Sequence, residues 1–151
     1  MRLLGLLLAA LLALAGCGWG SEPEPPAEPT KRVDERGTRT DLDPLTTRFP
    51  DLGDPVSATW QSGTLGDDRT APGPATYWID AVVTVEPEVA DSLRAQPSSD
   101  IGRDMDLVDA VADEVGDGSF APVAVVGPDM WQVDAWVAAD RDVVVVCARG
   151  G

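Results

Sequence analysis

Two segments restrict what this chain can fold into more than any other feature. Tyr77 to Val85, YWIDAVVTV, alternates: Tyr77, Ile79, Ala81, Val83 and Val85 point one way, and Trp78, Asp80, Val82 and Thr84 the other. That period of two is the mark of a strand. Val143 to Ala148, VVVVCA, is apolar at every position, as befits a strand in the middle of a sheet. A chain carrying both must build a sheet and cover it.

The remaining elements fit around these two. Val56 to Leu65 reads as a strand with Val56, Ala58 and Trp60 on one side. It ends in the turn-rich GDDRTAPGP, where Asp67 and Asp68 are solvated turn residues. Pro87 suits the first turn of a helix whose stripe contains Val89 and Leu93 and which Pro97 ends. A second helix is expected from Asp104 to Val115, with Leu107, Val108, Val111 and Val115 on one face and Gly116 as the stop. Ala121 to Val126 is a short strand. Trp131 to Ala138 and Val143 to Ala148 form a hairpin around Ala139-Asp140-Arg141-Asp142. Runs of strands separated by a pair of helices favour an α+β domain: an antiparallel sheet of four to five strands with two helices packed on one face.

Ahead of this lies a different kind of sequence. Residues 1–16 read as an export signal, with Arg2 as the basic region and Leu3 to Ala15 as a greasy run shorter than the ~20 residues of a spanning helix. Leu14-Ala15-Gly16-Cys17 resembles the bacterial lipobox at every position. That resemblance implies cleavage before Cys17, diacylglyceryl transfer to its thiol and a mature chain held on the outer face of the membrane, where two acyl chains make a near-permanent anchor. The competing reading is an ordinary secretory cut after Ala13-Leu14-Ala15, which leaves Cys17 free to pair with Cys147.

Residues 17–44 read as the lipidated cysteine and a disordered Pro/Glu-rich tether. Pro23, Pro25, Pro26 and Pro29 stand among Glu22, Glu24 and Glu28, followed by the mixed charges KRVDERGTRTDLD. The folded part is expected over 45–151, and a chain trimmed to Leu45 is expected to fold alone. Phe49 to Val83 resembles a segment of small, uncharacterised actinobacterial lipoproteins, a likeness that implies location and transfers no catalytic residue.

Charge and composition limit the chemistry. Lys and Arg total 11 against 26 Asp and Glu, and loss of Arg2 with the signal brings the net charge from −15 to −16. Nucleic acid is excluded as a partner, because phosphate binding needs basic side chains to displace counterions. There is no histidine, so Ser-His-Asp and Cys-His hydrolases and His-bearing zinc sites are excluded. Cys147, in an apolar strand, is expected to be an inert buried thiol. Asp113, Asp117 and Gly118 match a calcium loop, but Val115 and Ala124 stand where it needs oxygen ligands, so no metal site is expected. No Gly-rich phosphate loop is present and no cofactor is expected.

One constellation remains. Trp78 and Asp80 share a face of one strand, and Gln132, Asp134 and Trp136 the corresponding face of another. In compatible register, Trp78, Asp80, Asp134 and Trp136 would present two indoles and two carboxylates to a sugar ring or an extended peptide. The alternative is that the rings complete a second small core. The sequence therefore points to a lipid-anchored, extracytoplasmic, non-enzymatic accessory or binding module of the cell envelope, with an envelope protein or glycan as partner. The other reading is a small carboxylate-dependent enzyme acting on cell-wall glycan.

Overall fold

The computed structural model describes residues 29–66, 75–97 and 104–151. The expected signal peptide, Cys17 and the Asp67–Asp68 turn lie outside the described residues. The fold is α+β, built on one antiparallel sheet of six strands in the order β1-β2-β3-β6-β5-β4. The strands are β1 (Lys31–Val33), β2 (Ser57–Leu65), β3 (Thr76–Thr84), β4 (Phe120–Val123), β5 (Gln132–Ala138) and β6 (Val143–Gly150). Helices α1 (Asp43–Arg48), α2 (Pro87–Arg94) and α3 (Asp109–Val115) and a 3-10 turn at Pro50–Leu52 complete it. No helix among the described residues is long and apolar enough to cross a membrane.

The alternation read in β3 divides the sheet. Ile79, Ala81 and Val83 join Val144, Val146 and Ala148 of β6 and Ala135 and Val137 of β5 in the larger core. Leu45, Phe49 and Leu52, spaced four and three apart through α1 and the 3-10 turn, close this core together with Ala90 and Leu93 of α2. On the opposite face Val82, Val145, Cys147 and Trp136 pack with Val111 of α3, flanked by Met105, Leu107, Val108 and Val115. The two expected helices therefore cover opposite faces, not one. The physical reason is in β6: a run apolar on both faces needs a cover on each.

The turn between β5 and β6 holds both covers. From α2, the Arg94 Nε donates to the Ala138 carbonyl at 2.9 Å and a guanidinium nitrogen pairs with Asp142 at 3.2 Å. From the turn itself, Arg141 donates to the carbonyls of Val115 and Asp117 at 3.1 and 2.8 Å, satisfying the C-terminal end of α3. Gly116 follows α3 with φ +67°, and a Cβ there would lie 2.9 Å from the Arg141 guanidinium, which is why glycine ends this helix.

Two boundaries differ from expectation. Residues 104–108 are not helical: the Val108 amide donates to Asp80 Oδ2 at 3.0 Å and the Asp106 carbonyl accepts from the Lys31 ammonium, so these backbone groups are committed to tertiary partners and α3 starts at Asp109. The fold also begins well before Leu45. Lys31, Arg32 and Val33 pair with Leu65, Thr64 and Gly63, Arg39 bridges Trp60, and Leu42 packs on the core. Residues 30–44, expected in the tether, are part of the domain. Gly63 makes this docking possible, because a Cβ there would sit 1.7 Å from the Arg32 carbonyl oxygen.

Candidate functional site

The structure places the four expected site residues on one face, as the alternation implies, but not on an open one. β6 lies between β3 and β5, so Asp80 and Asp134 both face Cys147 in register across three strands. With strands about 4.8 Å apart, the two carboxylate-bearing residues are about 10 Å apart along that row. Trp78 is 0% exposed, Asp80 1%, Asp134 8% and Trp136 6%. Segment 104–115 covers Trp136 and Cys147, and Lys31 reaches in from β1. The aromatic platform expected from Trp78 and Trp136 is therefore closed, and the indoles serve as core. Trp78 Nε1 donates to the Thr64 carbonyl at 3.1 Å, with the Lys31 ammonium 5.4 Å from its ring centre.

The polar groups beneath this cover are tied to one another. Lys31, the chain's single lysine, donates to both oxygens of Asp80 at 3.0 and 2.8 Å. Burial pushes the Asp80 carboxyl above its ordinary value, against the lowering pull of Lys31 and the Val108 amide. Asp134 accepts from Gln132 at 3.3 Å. Cys147 is a free, buried thiol whose pKa is pushed up to about 12 by burial and by the charge of Asp80. So high a value leaves almost no thiolate at neutral pH. Neither acid lines either of the two cavities, of about 710 and 390 Å³.

The larger of the two lies on the other face, beside α1, whose Pro44 and Arg48 line it. It is a groove of about 710 Å³ lined by Trp60, Tyr77, Trp78, Ile79 and Trp131 together with Arg36, Arg39 and Arg48. A second, smaller one of about 390 Å³ lies near Val56, Thr84 and Glu114. The groove's polar wall is built by the turn after β1. Asp34 accepts from the Arg36 amide at 2.9 Å and from the Ser62 hydroxyl at 2.7 Å. Burial acts to raise the Asp34 pKa, but these hydrogen bonds and the charges of Arg39 and Arg36 outweigh it and hold the carboxyl below its usual value. It is therefore ionised at neutral pH.

Arg39 is the fixed cation of this wall. Its guanidinium lies over the Trp60 ring, 3.5 Å from the ring centre, and donates to Ser62 Oγ at 2.7 Å. Asp34 is 3.8 Å away. The Arg39 Nε is buried without an acceptor among the described residues. Trp60 is itself pinned, its Nε1 donating to the Asp41 carbonyl at 2.9 Å. Arg36 and Arg48 are exposed and in no ion pair with a described residue.

Sequence reasoning missed this groove because five of its positions, Asp34, Glu35, Arg36, Arg39 and Pro44, stand in a stretch whose composition reads as linker. The available signal is Asp34-Glu35-Arg36-Gly37, an Asx-type turn with glycine at φ +61°. Among the described residues no group of three or more His, Cys, Asp or Glu side chains is placed to hold a metal ion. No family model, curated protein or solved structure matches the chain.

Proposed function

We propose that this protein is a lipid-anchored, extracytoplasmic accessory or binding module of the bacterial cell envelope, without catalysis of its own, which meets its partner through the Arg36–Arg39–Arg48 groove. The membrane partner is reached through lipid on Cys17, the reading that Leu14-Ala15-Gly16-Cys17 supports. The observation that carries the binding role is a contrast between the two faces. The groove is preformed, open and lined by aromatic rings and guanidinium groups, a lining suited to holding a ligand. The carboxylates that could do acid–base work are shut beneath segment 104–115.

The alternative, a carboxylate-dependent enzyme acting on cell-wall glycan, draws support from the raised pKa of Asp80 and its place in one row with Asp134. It requires both acids within reach of substrate. Asp80 is instead ion-paired to Lys31, so binding through the open groove is the reading the geometry favours.

The test uses the unlipidated Cys17→Ser protein and isolated cell envelopes. The protein is expected to sediment with the envelopes and to lose most of that retention when Arg36 and Arg48 are both changed to Gln. A protein that stays in the supernatant, or is retained equally with and without the two arginines, contradicts the proposal.

A further inference from the structure

We infer that the groove takes an acidic saccharide: a sugar ring on the open aromatic lining with its carboxylate against the arginines. The inference rests on the binding-module reading and names the ligand class for it.

The first observation is where positive charge is left over. The chain carries net −15, and most of its described cations are consumed internally. Lys31 pairs with Asp80, Arg94 with Asp91 and Asp142, Arg141 with Asp140, and Arg149 with Asp106; Arg32 also has a partner. The two arginines in no ion pair with a described residue, Arg36 and Arg48, both line the groove. Arg39 stands between them with its Nε unmatched. Three guanidinium groups against two carboxylates, Asp34 and Glu35, give this one surface a positive balance in an otherwise acidic molecule. An anion is thus repelled elsewhere and attracted here. A guanidinium can take a carboxylate through two parallel hydrogen bonds, which selects that group by geometry as well as by charge.

The second observation is the aromatic lining left open beside the arginines, Tyr77 and Trp131. Tyr77 is 50% exposed and Trp131 is half-buried over Gly150, where a Cβ would lie 2.4 Å from the indole. Rings held in this way present flat apolar faces beside polar groups, the surface on which the C–H face of a sugar rests. An acyl chain would need a lining free of guanidinium groups. A volume of about 710 Å³ lies within the usual range for ligand pockets.

The experiment titrates the Cys17→Ser protein with trigalacturonic acid, maltotriose and triglutamate, by calorimetry and by tryptophan fluorescence. Trigalacturonic acid is expected to bind about tenfold or more tightly than maltotriose, with an affinity that falls as salt rises. Arg36→Gln/Arg48→Gln should weaken it about tenfold while the melting temperature stays within about 3 °C, since both side chains are exposed and the hydrogen bond given up, from Arg48 to the Pro44 carbonyl, lies at the surface. Equal binding of maltotriose, equal or tighter binding of triglutamate, or no binding of trigalacturonic acid overturns the saccharide assignment. If the saccharide fails while envelope retention still depends on Arg36 and Arg48, the ligand class is wrong and the module reading stands. Loss of both removes the two together.

Discussion

At the scale of single residues, the Lys31–Asp80 pair ties the first strand to the middle of the sheet. It joins positions 49 apart in sequence and is almost fully enclosed, with Asp80 1% exposed. Breaking such a pair leaves an uncompensated buried charge, at a cost of about 3–5 kcal/mol. Asp80 has a raised pKa, so the native state keeps the proton in a range where the unfolded state has released it. Its contribution to stability therefore falls as pH rises from the ordinary carboxylate value through the raised one. Removing Lys31 takes away a lowering influence and widens that range. Lys31→Met should thus cost about 3–5 kcal/mol at pH 7 and distinctly less at pH 4, where Asp80 can take up a proton. In Lys31→Met/Asp80→Asn the difference between the two pH values should vanish. Chemical denaturation of the variants beside the wild type at each pH measures this, and an equal loss at pH 7 and pH 4 for Lys31→Met would contradict it.

At the scale of elements, the chain is legible where its pattern is local and silent where a contact is distant. β2, β3, α2 and the β5–β6 hairpin lie within a residue or two of their expected limits, because alternation, Pro87 and the four-residue Ala139–Asp142 turn are all local signals. β1 is three residues long and docks on a glycine, so nothing nearby in sequence announces it. Its stability comes from Asp80 and from strand β2, more than 20 residues on. α3 shows a different gap: an apolar stripe marks a helix but not the face it will cover, and the sign of a second cover lay in the two-faced valines of β6. The same reasoning applies to the site. The shared face of Trp78, Asp80, Asp134 and Trp136 was readable from period two, but its burial depended on segment 104–115 folding over it.

The early start of the fold has a direct consequence. Trimming to Leu45 deletes β1, the Lys31–Asp80 pair, the Arg39 stack on Trp60 and the acceptor for Trp60 Nε1. A chain starting at Pro29 should melt in one cooperative transition by circular dichroism. One starting at Leu45 should show no such transition or a far lower midpoint, since the lost interactions are comparable to the whole stability of a small domain. Similar melting curves for the two would return residues 30–44 to the linker.

For the whole molecule, the early start also shortens the spacer. Only residues 18–30 lie between Cys17 and β1, and a flexible chain of that length spans about 20 Å. Were Cys17 lipidated as proposed, the acidic domain would sit close to the lipid surface, whose anionic headgroups would repel it except at the arginine groove. The proposed anchor would then set which envelope material the groove can reach. The most direct measurement is the intact mass of the mature protein recovered from cell envelopes, with sequencing of its N-terminal peptide. The account predicts a chain that begins at Cys17 and carries a diacylglyceryl group on its thiol. An unmodified chain beginning at Gly16 would contradict it.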